Sequence, residues 1–239
     1  MSAIWPHRSG YRHRGQHHCR TRIAGPDIAA TQPKSQPAYG TIMLNQFLQS
    51  NITIDWLHPA VLAKARVLAA GGEDRVEITR RCFEFVRDEI RHSWDYRMNP
   101  VTCKASEVLE HATGYCYAKS HLLAALLRAN TIPAGLCYQR LSLEGNGAPY
   151  CLHGLNAVWL PDHGWYRIDA RGNKPGVDAQ FCPPVERLAF SIDESLEADL
   201  PEIWPEPLPV VIKVLTEYTT VEAVHENLPD VELLRLVTD

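Results

Sequence analysis

Between Gly114 and Ala129 the chain reads Gly-Tyr-Cys-Tyr-Ala-Lys-Ser-His-Leu-Leu-Ala-Ala-Leu-Leu-Arg-Ala, and no other stretch restricts the fold so strongly. Leu122, Leu123, Leu126 and Leu127 recur at i, i+1, i+4 and i+5, with Ala118, Ala124, Ala125 and Ala129 between them. This spacing predicts a helix from Tyr117 with one broad apolar stripe and small residues that permit close packing. Cys116 falls at its opening, two residues after Gly114. Free N–H groups and the positive end of the helix dipole would face its sulfur, favouring the thiolate, which is the nucleophilic form. The same N–H groups suit an oxyanion formed by attack on a carbonyl. The competing reading is a small buried hydrophobe, the commonest fate of a free cysteine.

The rest of the chain decides between these readings. Its 239 residues suit one domain with appendages, and a net charge of −4 points to no nucleic-acid partner. No run approaches the roughly 18 to 20 apolar residues of a membrane span. Seven cysteines, an odd number without CxxC spacing, suggest reduced thiols and a cytoplasmic location. Residues 1–42 carry Arg8, Arg12, Arg14, Arg20, Arg22 and Lys34 against Asp27 alone, a charge of +5 that leaves −9 for the remainder. With histidines, prolines and almost no periodic hydrophobics, this segment reads as a disordered basic tail. Three other readings stand beside that one: a transit peptide without an amphipathic stripe, a His-rich metal-binding tail, or a translation start that belongs at Met43.

The domain proper is expected over residues 43–239. Gln46 to Trp56 reads as a strand or extended lead-in. Pro59 opens a helix that Gly71-Gly72 closes. Asp74 to Arg91 is an amphipathic helix burying Thr79, Cys82, Phe83, Val86 and Ile90, with a capping-box pattern from Asp74 to Glu77. His92 to Thr102 is expected to be extended, and Ala105 to His111 helical. After the Cys116 helix come three strand-like runs, Ala134 to Leu143, Tyr150 to Leu160 and Trp165 to Ala170. The turns between them are short enough for antiparallel pairing. The proline-rich remainder, from Pro175, should wrap the domain as loop with short helices at Val210 to Tyr218 and from the cap Thr219-x-x-Glu222 to about Leu228. It contains no catalytic cluster and covers core surface beside the cleft.

Cysteine nucleophile, histidine base and carboxylate therefore arrive in the order Cys116, His153, Asp169. A thiol needs an imidazole to take its proton, and the imidazole needs an acceptor that fixes its tautomer. Alternation along strands imposes a condition: His153 and Asp169 share a sheet face only if the paired residue numbers in their hairpin sum to an even value. Pairing Trp159 with Trp165 satisfies it, and pairing Leu160 with Trp165 does not. An odd-length loop or a bulge is therefore required. His121 lies about 140° round the helix from Cys116 and reads as a core or supporting histidine. A zinc site from Cys116, His121, Cys151 and His153 lacks paired-ligand spacing, so no metal is assigned. Tyr117, Trp94, Gln139 and Asn156 are candidates for substrate or oxyanion contacts. Arg171 and Lys174 read as solvated charges after a strand.

Gly114-x-Cys116 before a Leu/Ala-rich helix, Ala129-Asn130-Thr131-Ile132-Pro133-Ala134, His153-x-x-x-Ala157-x-Trp159 and Gly164-Trp165-x-x-x-Asp169 together resemble the transglutaminase-like superfamily. The resemblance spans Ala105 to Asn173, about a third of the chain. It implies a single α+β domain of the papain-like, transglutaminase-core type, a nucleophile helix on a small antiparallel sheet, with a catalytic core of about 105–174. It carries nucleophile onto Cys116, general base onto His153 and orienting acid onto Asp169. Stand-alone bacterial cysteine peptidase-like forms are the most similar in size. Asn156, and the continuation Asp169-Ala170-Arg171-Gly172-Asn173-Lys174, depart from the usual pattern. The activity implied is acyl transfer on a peptide or protein amide through a thioester, hydrolytic rather than crosslinking, without cofactor. The alternatives are a crosslinking transglutaminase and an inactive peptide-binding or assembly module of the same fold.

Overall fold

A computed structural model describes residues 44–72 and 74–233. The expected tail over 1–42 lies outside them. The helix containing the nucleophile candidate organises the fold: α5 runs Cys116–Ala129, and every residue from Cys116 to Arg128 is buried. A helix apolar on one broad stripe and small elsewhere can be enclosed on all sides. Here α1 (Pro59–Ala69), α2 (Arg75–Glu89) and α4 (Ala105–His111) pack on one side of it, and β3 (Ala134–Ser142) with β4 (Tyr150–Leu160) on the other. Leu122, Leu123, Leu126 and Leu127 are fully buried, and each contributes about 1.5–3 kcal/mol of hydrophobic stabilisation before entropy is charged against it.

Local chemistry explains the boundaries. Pro59 is pre-set for the first helical turn, and His58 Nδ1 accepts the Ala60 N–H at 3.3 Å. Asp74 caps α2 through the Val76 N–H. The capping box itself is absent, because Glu77 is held by Arg80 and Arg81. Arg128, in the last turn of α5, is buried and donates to the carbonyls of Ala134, Gln49 and Pro205, fastening three segments to the helix end.

The four-stranded sheet has the order β5-β4-β3-β6, with β5 at Gly164–Ile168 and β6 at Ala198–Asp199. All its pairs are antiparallel. Trp159 pairs with Trp165 and Leu160 with Gly164, so residues 161–163 form a three-residue loop whose exit residue, Gly164, has φ +69. This is the even-sum register that brings Asp169 to the face of His153. One sheet face joins the main core, and the other carries a smaller cluster of Cys137, Leu155 and Ala157 under Leu188 and Ile203. Gly135 permits that closure: a Cβ there would lie 2.3 Å from Ile203 Cγ2.

Several expectations are corrected. Gln46 to Trp56 forms a 3-10 turn over Gln46–Leu48 followed by bends, because Asn51 Oδ1 accepts the Thr53 and Ile54 N–H groups and turns the chain. His92 to Thr102 is not extended throughout. β1 (Arg91–His92) pairs in parallel with β2 (Thr113–Gly114), and a short helix α3 (Ser93–Tyr96) follows, ended by Arg97 in the left-handed conformation. In the C-terminal part, α6 is Pro209–Glu217 and α7 is Val221–Glu226. The cap of α7 is Thr220 rather than Thr219.

Candidate active site

The first turn of α5 is fixed from both sides. Gly114 is registered against His92 by the β1–β2 pair, and a Cβ on Gly114 would come within 3.2 Å of Ala118 Cβ. Tyr115 is the N-cap residue, and its hydroxyl donates to the Val221 carbonyl at 2.6 Å. Cys116 is therefore the first helical residue, where N–H groups lack intrahelical acceptors. Its Sγ accepts the Gly154 N–H at 3.4 Å. Gly154 is a glycine inside a strand, and a Cβ on it would meet Tyr117 Cδ1 at 3.0 Å and Tyr117 Cα at 3.1 Å. The missing side chain is what lets the strand backbone reach the sulfur.

His153 sits beside Gly154 on β4 and is 1% exposed. Its Nε2 is 2.7 Å from Asp169 Oδ2. The Asp169 carboxylate also accepts the Ala189 N–H at 3.0 Å and the Arg171 N–H at 3.1 Å. Burial works against the charged imidazole, but the Asp169 carboxylate and then Cys116 outweigh it and push the His153 pKa up to about 9. Burial likewise opposes the Asp169 charge, yet His153 and the two backbone donors hold its carboxyl below the usual range. Cys116 acts on His153 through its charge and as a neighbouring side chain, while His153 Nδ1 makes no hydrogen bond of strict geometry. Phe190 stands edge-on to the imidazole with centroids 4.9 Å apart.

Cys116, His153, Tyr117 and Trp94 line one cavity of about 20 Å³, room for a water molecule but not for a peptide. Trp94 is sandwiched between the His225 ring at 3.4 Å and the Arg97 guanidinium at 3.3 Å. The Tyr117 hydroxyl is committed to the Leu152 carbonyl. Gln139 and Asn156 do not line this cavity. Gln139 pairs across the sheet with His153, but its Nε2 donates to Asp199 Oδ1 at 2.9 Å. Asn156 faces α5 and donates to the carbonyls of Ser120 and Gly135. Arg171 is not solvated: it is 2% exposed and makes a bidentate pair with Asp95, at 2.7 and 3.1 Å, which Lys174 joins at 2.7 Å.

A second Cys–His contact is made by the main chain rather than by sulfur. His121 Nδ1 lies 2.8 Å from the Cys103 carbonyl oxygen, and burial drives His121 down to about 4. Burial pushes the Cys103 thiol up to about 12. Among the described residues, no group of three or more His, Cys, Asp or Glu side chains is arranged to hold a metal ion. No helix there is long and apolar enough to cross a membrane.

Sequence reasoning missed His92, His225 and Leu228, which also line the cavity. His92 is buried, with its Nδ1 unpartnered 3.8 Å from Asp95 Oδ2. Burial, with Arg171, Lys119 and Lys174 nearby, holds its pKa well below the usual value. Nothing periodic marks these residues. Gly154 did carry a readable signal, since glycine within a strand indicates close backbone approach.

Helices packed against an antiparallel sheet form an α+β architecture consistent with a papain-like, transglutaminase-core fold. In agreement, residues 63–170 match the model of the Transglutaminase-like superfamily. Among solved structures, similarity extends to a candidate cysteine protease from Cytophaga hutchinsonii, at 17% identity and a TM-score of 0.45, covering 54% of this chain and 42% of that one. It also extends to the periplasmic domain of TgpA from Pseudomonas aeruginosa, at 21% identity and a TM-score of 0.42, covering 54% and 47%. The chain thus spans less than half the length of either. No curated protein matches it. The cytoplasmic location expected from cysteine usage is contradicted, since the TgpA structures are of a periplasmic domain. Burial pushes the thiols of Cys82 and Cys137 up to about 12.

Proposed function

We propose that the protein catalyses cysteine-dependent acyl transfer on an amide or peptide, with water as the final acceptor. In this reading Cys116 Sγ attacks the amide carbonyl carbon, forming a C–S bond while the carbonyl electrons move to oxygen. The backbone N–H of Cys116, at a helix start, is the donor suited to that oxyanion. Collapse breaks the C–N bond, and the amine leaves with a proton from His153. Water then attacks the thioester, gives its proton to His153, and the acid departs as the sulfur regains its electron pair. Asp169 keeps the proton of its partner nitrogen on Nε2, so that Nδ1 serves the sulfur.

The observation that carries the reading is the 2.7 Å contact of His153 Nε2 with Asp169, which leaves Nδ1 unpartnered in a cavity lined by Cys116. Every step uses side chains, backbone N–H groups and water. The test is profiling with electrophilic peptides and a library of peptide amides, comparing wild type with Cys116→Ala. Turnover lost in the variant supports the reading. Equal, background-level signals from both proteins would point to a binding module.

A further inference from the structure

The Tyr150–Leu155 half of β4 extends beyond β5, which pairs only with Asn156 to Leu160. Two N–H groups on this edge have found partners elsewhere. Gly154 donates to Cys116 Sγ at 3.4 Å, and Leu152 donates to the Pro229 carbonyl at 2.7 Å. Alternate residues of a strand stand about 6.8 Å apart, the spacing between alternate carbonyls of an extended peptide. A chain that places one carbonyl on Leu152 can therefore present another at the sulfur.

The segment that contributes Pro229 is held from several directions. Leu228 and His225 line the cavity beside Cys116 and His153. His225 stacks on Trp94. Asp230 makes a bidentate pair with Arg140, both contacts at 2.7 Å. Cys116 is left 7% exposed, with space beside it for a water alone.

We infer that the free edge of β4 is the acyl-donor groove, and that Asn227-Leu228-Pro229-Asp230 occupies it as an internal pseudosubstrate. The inference rests on the acyl-transfer reading and names its substrate class. That class is an extended peptide with an apolar side chain where Leu228 sits, a carbonyl on the Leu152 N–H, and an acidic residue two positions after the apolar one, paired with Arg140. Recognition through main-chain pairing to a strand edge, with pockets for particular side chains, is the physics of β-augmentation. The internal segment lowers the fraction of molecules open to substrate and so weakens apparent affinity until it is displaced.

The test uses the full chain and reads the alkylation rate of Cys116 by iodoacetamide, with Cys116→Ala as the blank. Asp230→Asn and Arg140→Gln each loosen the segment and are expected to speed labelling by about two- to fivefold. Faster amide exchange at Leu152 should accompany this. A synthetic peptide with the sequence of residues 226–231 should slow labelling of Asp230→Asn again, and should do so far less for Arg140→Gln, which lacks the guanidinium that pairs with its acid. Unchanged labelling and exchange in both variants, at wild-type melting temperature, would overturn the inference. So would a peptide that fails to protect Asp230→Asn. Alkylation does not require turnover. Faster labelling without any amide hydrolysis would sink the catalytic reading and leave the occluding segment standing, whereas wild-type hydrolysis with unaltered labelling would do the reverse.

Discussion

His153 is tied to Asp169 through Nε2, at 2.7 Å, so the ring nitrogen free to meet Cys116 is Nδ1. The assignment follows from strand register. With Trp159 opposite Trp165, the residue following β5 lands diagonal to His153 on the same face. Removing the carboxylate charge while keeping its shape isolates what this relationship does. Asp169→Asn is expected to lower kcat/KM by about 10²–10⁴-fold. It should also return the His153 titration, followed by NMR, from about 9 to a lower value. An unchanged kcat/KM would mean that the pair is only structural.

The approach of β4 to Cys116 is measured by Gly154. In Gly154→Ala, the new methyl would press on the Cα of Tyr117, which as backbone cannot swing aside. Strand and helix must separate, at a cost of about 1–3 kcal/mol. The N–H donated to Cys116 Sγ moves away with them. Chemical denaturation and the rate of thiol alkylation should report both losses together.

Stability should depend on pH in a definite direction. The His153 pKa is raised in the folded protein to about 9, above the roughly 6.5 of an unfolded chain. Between those values the folded state holds more protons, so stability falls as pH rises. The contribution of the charged ring is complete below about pH 6.5 and is lost as pH passes about 9. For Asp169, depressed in the fold, stability is present above the ordinary carboxylate range and is lost as pH falls through its folded value. Melting temperatures of wild type and His153→Gln should therefore converge from pH 6.5 to 9.5. A gap that widens over this range would contradict the assignment.

Arg171 gives the largest expected loss of stability. Its buried guanidinium is neutralised by Asp95, which also holds Lys174. Asp95→Ala would strand a charge that is almost fully enclosed, at about 3–5 kcal/mol. Asn156→Ala, which removes the donor to Ser120 and Gly135, should cost about 1–3 kcal/mol. Its effect on kcat/KM should be small, because the side chain is not part of the cavity lining.

What could be read in advance follows from range of interaction. The 3.6-residue period of α5, the ends of β4 and the hairpin parity are properties of contiguous residues, and their positions agree with expectation to within a residue or two. The contacts of Asn156 and Arg171 are set by what lies across the fold, Ser120 in one case and Asp95 in the other, and composition is silent about that. Gln46 to Trp56 went wrong because a strand-like run of Ile and Thr was overridden by one Asx turn at Asn51. The cover over the cavity came from residues with no periodic signal, brought there by pairing more than seventy positions distant.

Enclosure of α5 along its whole length has a last consequence. A rod with no wet side offers no position where a replacement goes unnoticed, since each neighbour is another packed side chain or a strand. Chains that share this architecture should therefore keep size and polarity along Cys116–Arg128 and accumulate their differences in the loops outside. Saturation mutagenesis scored by folding yield should show a continuous intolerant block there, without the three-to-four-residue rhythm of an ordinary surface helix.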